Sequence, residues 1–331
     1  MEKNRRAGII KVLSLMVAAS ILLLLLMVIL SEAHKKQPYT SSTVSIPRQA
    51  GVWQIASLLK SHRIIDYPLY FILRARLKGI ENSLKGGKYR FNNRMTTGEI
   101  LDCLTKGKMI TYFFTIPEGY NLKEIAHRLQ AKGFASSKRF LSLCCDRDFI
   151  LSLGLKVESL EGYLFPGTYQ TVKKINEKDI ITVMVNRFKE ISAKYQGRIK
   201  ERNTSLHSVI TLASLIEREV QKEEEKPLIS AVFHNRLKKG MPLESCVTVL
   251  YALGYHKPHL TYNDLKIKSP YNTYLHHGLP PGPICSPGRT SIEAALNPAP
   301  VSYLFFVAQG NGFHQFSETY FQHRMAKRTD Y

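Results

Sequence analysis

The sequence predicts an α+β protein behind an N-terminal transmembrane helix, with a small βααβ module followed by a mixed α/β region that contains a loop-lined cleft. Three observations support this: an uncharged apolar run near the amino terminus, a strand–helix pattern that occurs twice, and a proline-rich stretch after a long amphipathic helix. At 331 residues and 44% hydrophobic composition, the chain is long enough for two or three compact domains.

The charge and the cysteines limit the possible partners. A formal net charge of +21 predicts an anionic partner or surface. Lys and Arg are scattered along the chain, so anionic lipid or an acidic cell-wall polymer fits this charge as well as nucleic acid does. The five cysteines cannot all pair, and no Cys or His set has metal-ligand spacing. We therefore predict neither a metal nor a cofactor.

The apolar run covers residues 12–30 and carries no charge. As a helix it spans roughly the 30 Å hydrocarbon core of a bilayer. Four basic residues within residues 1–11 keep that tail in the cytoplasm, so the rest of the chain is translocated. A cleaved signal peptide is the alternative, but the run is long and Ser31–Lys36 is a poor cleavage site. We expect a single-pass protein of the cytoplasmic membrane, which argues against a nucleic-acid partner.

A repeated strand–helix pattern follows a polar linker at residues 31–43. Ser45–Leu59 aligns without gaps with Thr115–Leu129, and the two copies share Ile-Pro, Ile-Ala and a final Leu. Each copy predicts a short strand, a turn and an amphipathic helix. Between the copies, the sequence predicts a helix at Tyr67–Lys78, a strand at Gly87–Phe91 and a further helix at Thr97–Thr105. Residues 44–110 are therefore expected to form a compact α+β module.

The rest of the chain divides into residues 111–200 and residues 201–331. The first part is mainly helical after the second copy of the repeat, and an aromatic loop at Leu160–Tyr169 is either ordinary packing or the lip of a carbohydrate site. The second part begins with an amphipathic helix over residues 206–220 and a helix from Pro227 to Gly240, and then becomes loop-rich, with a short helix and two strands near its end. Prolines fix the loops at 269–274 and 278–288, and such loops on a rigid frame often carry sites.

One carboxylate in the helix at residues 206–220 is a candidate general acid. On a helical wheel Glu217 falls between the directions of Leu206 and Ile210, one turn after the small Ala213. Apolar neighbours disfavour the charged form of a carboxylate, and a protonated carboxyl group can donate to a leaving group. The alternative is that Glu217 sits at the helix edge and reaches solvent.

Several motifs in order resemble those of one family, the endolytic murein transglycosylases (MltG/YceG-like). The motifs are Val44–Pro47, Ile116–Tyr120, Glu161–Pro166, Leu212–Glu217, Ser269–Tyr274, Gly278–Ile284 and His314–Phe316. The resemblance covers essentially the whole chain. It implies an inner-membrane protein with a LysM-like module and a catalytic domain, whose partners are peptidoglycan strands, the cytoplasmic membrane and possible peptidoglycan synthases.

The implied reaction is cleavage of the MurNAc–GlcNAc bond in nascent strands, without water, to leave a 1,6-anhydroMurNAc end. The family's catalytic glutamate is assigned to Glu217. One carboxylate suffices for this chemistry, because the sugar's own C6 hydroxyl attacks C1 and the same carboxylate acts first as acid and then as base. A non-catalytic peptidoglycan-binding or scaffolding protein is the alternative function.

Further site residues follow from the matched motifs. The expected substrate contacts are Glu161, Tyr163, Glu244, Tyr271, Asn272, Tyr274 and His314. Tyr271, Asn272 and Tyr274 either contact sugars or simply order their loop, and His314 is either structural or a positioning residue. Glu244 stands where the family often has Gln, and it either lies beside Glu217 as a second carboxylate or accepts hydrogen bonds from substrate amides. Cys246 and Cys285 flank the predicted cleft and are a possible disulfide.

Overall fold

The computed structural model describes residues 15, 16, 19, 40–171, 175–255 and 257–327. The chain divides into two compact units, residues 1–112 and residues 113–331. The predicted membrane span at residues 12–30 lies outside the described residues except for 15, 16 and 19. Within the described ranges no helix has the length and apolar character needed to cross a bilayer.

The first unit has the predicted order of strand, helix, helix, strand and helix. Its elements are β1 (Ser41–Ile46), α1 (Val52–Ser61), α2 (Pro68–Leu77), β2 (Gly87–Asn92) and α3 (Thr97–Lys106). The strands are antiparallel, with Val44 opposite Tyr89. Alternate strand residues point into the core, because successive side chains in a strand face opposite sides. Gly107, in the left-handed conformation, ends α3 as its position in the sequence predicts.

The second unit begins with the other copy of the repeat. Strand β3 (Tyr112–Ile116) ends 70 residues after β1, and helix α4 (Leu122–Ala131) has the bounds of α1 shifted by 70. Both helices bury the same four positions, which in α4 are Leu122, Ile125, Ala126 and Leu129. The strand that pairs with β3 is β4 (Gly167–Thr171), whose first residues fall within the predicted aromatic loop. The repeat was visible in the sequence, but the strand that pairs with β3 was not.

Residues on both sides of position 200 share a single hydrophobic core in this unit. The helices up to the central one are α5 (Ser137–Cys144), α6 (Arg147–Ser152), α7 (Glu177–Ala193), α8 (Gln196–Glu201) and α9 (Leu206–Glu219). The remaining elements are α10 (Lys226–Lys238), α11 (Cys246–Leu253), α12 (Arg289–Leu296), β5 (Phe305–Ala308), β6 (His314–Ser317) and α13 (Tyr320–Ala326). Helix α9 buries every residue from 209 to 216 and packs against α10 and α12. It is the central helix of the unit.

The loop-rich region after Gly240 contains two helices that the sequence pattern did not predict, α11 and α13. Gly254 in the left-handed conformation ends α11, and a capping box between Thr319 and Gln322 begins α13. The two proline-fixed loops contain neither helix nor strand, and His277, which lies between them, forms an isolated bridge with Pro242. Strands β5 and β6 form an antiparallel pair.

Candidate functional site

Two glutamates near the carboxyl end of α9 face different surroundings. Glu217 and Glu219 are two residues apart, so their side chains leave the helix about 200° from one another. Each lies among polar groups supplied by later parts of the chain.

Glu217 accepts hydrogen bonds at the amino terminus of α12. Its Oε2 accepts the Gly288 N–H at 2.9 Å and the Ser291 hydroxyl at 2.5 Å, and the Lys226 Nζ lies 3.6 Å away. The Glu217 and Lys226 side chains are 10% and 5% exposed. Glu217 is therefore buried rather than at a solvent-exposed helix edge. Apolar residues are only part of its surroundings, because two donors and an ammonium group face Oε2.

A second carboxylate near Glu217 comes from the Ile116–Tyr120 motif. The Glu118 carboxyl lies so close to Gly288 that a Cβ atom there would overlap it. Burial raises the pKa of Glu118, and the charge of Glu217 raises it further. The backbone of this motif is joined to the proline-fixed loop, because Gly119 N–H donates to Ser286 O at 2.9 Å. Glu244 was one candidate for a second carboxylate near Glu217, but the structure places Glu118 there.

Glu219 faces a cavity of about 410 Å³ on another side of α9. The Ser245 hydroxyl donates to its Oε1 at 2.5 Å, and Ser245 is itself held by a hydrogen bond from its N–H to Thr273 Oγ1 at 3.0 Å. Burial raises the pKa of Glu219, while the Ser245 hydrogen bond and the nearby His314 act in the opposite direction. Glu219 is thus a carboxyl group of raised pKa that borders an open cavity.

Aromatic rings and charged groups line this cavity. The aromatic residues are Tyr274, Phe305, Phe306, Tyr320 and His323, and the charged ones besides Glu219 are Arg236, Glu244 and Lys327. Aromatic faces with a few placed polar groups are typical of sites that bind small or sugar-sized ligands. Two of the predicted substrate contacts, Glu244 and Tyr274, therefore lie in one cavity with Glu219.

Glu244 is held in place by a buried arginine. Arg236 Nη1 lies 2.9 Å from Glu244 Oε2, and the same guanidinium donates to the carbonyls of Pro242 and Leu304. Glu244 also has a φ of 49°, in the left-handed region that a side chain rarely adopts. The ion pair and the backbone together fix the direction of its carboxylate at the cavity.

The two cysteines considered as a disulfide are both free thiols. Cys246 is exposed, and its Sγ lies 3.1 Å from the Tyr274 hydroxyl. Cys285 is buried, and its thiol donates to Ser214 O at 3.3 Å. The possible disulfide is therefore not formed, because the two sulfur atoms have different partners.

Glu161 and Tyr163 lie apart from the cavity at Glu219. The Glu161 carboxylate accepts the Leu122 N–H, at 3.1 and 3.2 Å to its two oxygens, and the Tyr251 hydroxyl at 3.3 Å. Burial raises the pKa of Glu161 to about 7, although the hydrogen bonds from Leu122 and Tyr251 act to lower it. Glu161 lines a separate cavity of about 340 Å³, together with Arg218.

Tyr163 helps to fix the second proline loop through a histidine. His207 Nε2 carries a proton and donates it to Pro281 O at 2.7 Å. His207 Nδ1 therefore accepts the hydrogen bond from the Tyr163 hydroxyl, at 2.7 Å. The residue is buried and its ring packs edge-on against Phe188. These contacts hold the Tyr163 side chain in place, and its contact with substrate stays a prediction.

Of the predicted residues in the first proline loop, Asn272 orders the loop. It is fully buried, and its amide donates to Leu265 O at 2.9 Å and Ile267 O at 3.0 Å. The ring of Tyr271 packs against Tyr251 with centroids 4.9 Å apart.

His314 forms a buried pair with Glu225. Its Nδ1 lies 2.7 Å from Glu225 Oε2, and its backbone N–H donates to Glu225 Oε1 at 2.9 Å. Across the described residues no cluster of three or more His, Cys, Asp or Glu side chains could hold a metal ion.

The sequence did not predict that Glu219 borders a cavity, or that Ser245 contacts Glu219 and Arg236 contacts Glu244. Glu219 does lie toward the edge of the apolar face of α9, and this position was the available signal. Glu118 also differed in charge from Arg48, its counterpart in the first copy of the repeat. Both signals were present, but neither shows which side chains from distant loops approach.

Known proteins resemble this chain over most of its length. The sequence profile of the YceG-like family matches residues 44–329. The endolytic murein transglycosylase of Bacillus subtilis (strain 168) is 36% identical over 314 residues, which is 90% of this chain and 87% of that protein. The endolytic murein transglycosylase of Streptococcus pneumoniae serotype 2 (strain D39) is 34% identical over 80% of this chain, which spans about half (54%) of that protein.

A solved structure shows the same fold. The crystal structure of a YceG-like protein (lmo1499) of Listeria monocytogenes matches with a TM-score of 0.62 and 34% sequence identity, over 86% of this chain and 98% of that one. The protein therefore belongs to the YceG-like family. It is an enzyme, a lytic transglycosylase, and as such a lyase that acts on murein.

Proposed function

We propose that this enzyme cleaves the MurNAc–GlcNAc bond within nascent peptidoglycan strands and leaves a 1,6-anhydroMurNAc end, with Glu219 as the acid and then the base. The supporting observation is the position of Glu219, a carboxyl group of raised pKa at a cavity of about 410 Å³ lined by aromatic rings. Burial raises the pKa of a carboxyl group so that it can act as a general acid, and the cavity gives a sugar access to it.

The reaction needs one carboxyl group. Protonated Glu219 donates its proton to the glycosidic oxygen as the bond from C1 to that oxygen breaks. The C6 hydroxyl of the same sugar then bonds to C1, and the Glu219 carboxylate takes the hydroxyl proton, which restores the starting enzyme. Ser245 holds Oε1 of Glu219 and leaves the other oxygen for the substrate. No water is consumed, so the new end is an anhydro sugar.

The choice of Glu219 over Glu217 rests on their contacts. Glu217 Oε2 accepts two hydrogen bonds and lies 3.6 Å from the buried Lys226 ammonium, as in a structural ion pair. Its contacts join α9 to the amino terminus of α12, so its proposed role is to hold these two helices together rather than to contact the substrate. Glu217, the residue indicated by the sequence, remains the alternative acid, and a pair of variants separates the two.

Glu244 and Tyr274 are proposed as substrate contacts in the same cavity. The Glu244 carboxylate can only accept, so it would bind an N–H or O–H of the glycan or its peptide stem. His314 is proposed to act through Glu219 rather than on the substrate, since its imidazole is paired with Glu225.

The remaining parts of the proposal concern location. Residues 12–30 are proposed to anchor the enzyme in the cytoplasmic membrane with its body outside the cytoplasm. The first unit is proposed to be a LysM-like module that holds glycan or spaces the catalytic unit from the bilayer. A reporter fused to the carboxyl terminus tests the orientation, and activity of a cytoplasmic reporter would contradict it.

The test of the activity is a digest of nascent, uncrosslinked glycan by the full-length enzyme, with mass spectrometry of the strand ends. We expect anhydro ends from the wild type and none from Glu219→Gln. Reducing ends instead of anhydro ends would make the enzyme a hydrolase. Full activity of Glu219→Gln would remove Glu219 from the mechanism.

A further inference from the structure

Helix α2 of the first unit is apolar on two opposite faces. One face carries Phe71 and Ile72, which are buried in the core of the unit. The other face carries three leucines one turn apart, Leu69, Leu73 and Leu77, which are 69%, 42% and 80% exposed. Single exposed leucines are common on protein surfaces, but a row of three on one short helix indicates an interaction surface. We call these three residues the leucine stripe.

The only tryptophan in the chain lies close to this helix. Trp53, on α1, is 58% exposed. It lines a groove of about 390 Å³ together with Lys60 of α1 and Pro68 and Ile72 of α2. Tryptophan with an exposed ring is typical of the interface between lipid headgroups and acyl chains.

Basic side chains flank the leucine stripe on both sides. On the helical wheel Arg76 falls on one side of the stripe and Arg74 on the other. Arg76 pairs with Glu81 at 3.0 Å, but both side chains are exposed and such pairs contribute little. Residues 41–112 contain twelve Lys and Arg against four Asp and Glu. This flanking charge repels a second copy of the same face and favours an anionic surface.

The sequence also places this unit close to a membrane. The apolar run ends at residue 30 and β1 begins at Ser41, so only ten residues separate them. Ten extended residues reach at most about 36 Å. With residues 12–30 in the bilayer, the first unit cannot move farther than this from the lipid surface.

We propose that the leucine stripe and Trp53 insert into the headgroup region of the membrane that anchors the chain, and that the flanking arginines contact anionic phospholipid. The leucines would enter the acyl boundary, while the longer arginine side chains extend to the phosphates. The unit is then oriented on the bilayer rather than only tethered to it. This proposal rests on the proposed anchor and is independent of which glutamate cuts the glycan.

The test uses the fluorescence of Trp53 in the full-length protein. The protein is reconstituted into vesicles of phosphatidylcholine with phosphatidylglycerol, part of the phosphatidylcholine being brominated to quench nearby tryptophan. We expect strong quenching of Trp53 in these vesicles. Quenching should be weaker in vesicles that contain the same share of brominated phosphatidylcholine but no phosphatidylglycerol. The variant with Leu69→Glu, Leu73→Glu and Leu77→Glu should lose most of the quenching. Leu151→Glu, an exposed leucine of the second unit, is the matched control and should keep it.

Three results would overturn the proposal: no quenching in the wild type, unchanged quenching in the triple variant, or equal quenching in neutral vesicles. A change of oligomeric state in the triple variant, without quenching in the wild type, would assign the stripe to a second copy instead. Carbonate extraction of the same vesicles reports the anchor separately, and glycan digestion reports the activity. A failure of this proposal is thereby distinguished from a failure of the proposed function.

Discussion

Replacing Glu219 by Gln is the sharpest test of the site. Gln keeps the size of the side chain and an oxygen that can accept the Ser245 hydroxyl, which now lies 2.5 Å from Oε1. It has no proton to transfer to the glycosidic oxygen. Proton transfer by a positioned side chain contributes roughly 10²–10⁴-fold in rate, so the variant should lose cleavage by about this factor.

Glu217→Gln is the matched control, because it makes the same change two residues away on the same helix. It leaves the buried Lys226 without the carboxylate at 3.6 Å, although Lys226 keeps Glu223 at 3.1 Å. We expect a loss of about 1–3 kcal/mol in the free energy of unfolding, with cleavage reduced much less than in Glu219→Gln. Urea denaturation measures the first quantity and the rate of anhydro-end formation the second.

An exchange of phenotypes between the two variants would contradict the assignment of Glu219 as the acid. An inactive but stable Glu217→Gln, together with an active Glu219→Gln, would return the catalytic role to the residue that the sequence indicated. It would also show that a carboxylate held by a helix amino terminus and an ammonium group can serve as the acid.

Other predictions follow from individual contacts. Ser245→Ala removes a hydrogen bond that lowers the pKa of Glu219, so the alkaline limb of the cleavage rate should move to higher pH. The raised pKa of Glu161, about 7 against an ordinary value of 4.5, stabilises the fold below pH 4.5, and this contribution is lost as pH rises through 7. Glu161→Gln should therefore reduce the fall in unfolding free energy between these pH values by about 3 kcal/mol, measured by urea denaturation. Gly162→Ala should cost about 3 kcal/mol, because φ is 80° and a Cβ would overlap the rigid ring of Pro283.

Each of these predictions has a control or a contradicting result. An unchanged pH profile in Ser245→Ala would show that the hydroxyl does not act on Glu219. Parallel stability curves of the wild type and Glu161→Gln would contradict the raised pKa of Glu161. Gly197→Ala lies in helix α8 with open space around it and should be neutral or stabilising by up to about 1 kcal/mol. A similar result at Gly162 would contradict the overlap with Pro283.

Local sequence patterns predicted most of the elements. The 70-residue repeat gave the same helix bounds in both copies, since apolar residues at helical spacing identify a buried face wherever they occur. Glycine at position 107 ended its helix for the reason predicted. Strand β4 and helices α11 and α13 were missed. The residues of β4 form a strand because they pair with β3, which is distant in the sequence. The two helices are short and begin within a loop-rich region.

The candidate site was only partly predictable. The motifs indicated α9 and its neighbouring loops, and they included Glu244 and Tyr274 at the cavity. They indicated Glu217 rather than Glu219, because the Leu212–Glu217 motif ends at that residue. They could not show how the surroundings of the two carboxylates differ. The difference arises from Lys226 and Gly288 on one side and Ser245 on the other.

The sequence by itself determined the fold class, the repeat, the helix that carries the carboxylates and the family of enzyme. These depend on residue order and spacing, which are local and can be read directly. Only the tertiary structure decided which glutamate borders a cavity and which is held in an ion pair, and that Cys246 and Cys285 have separate partners. The protonation and access of a carboxyl group depend on its distances to groups far away in the chain, and those distances exist only after the loops have packed around α9.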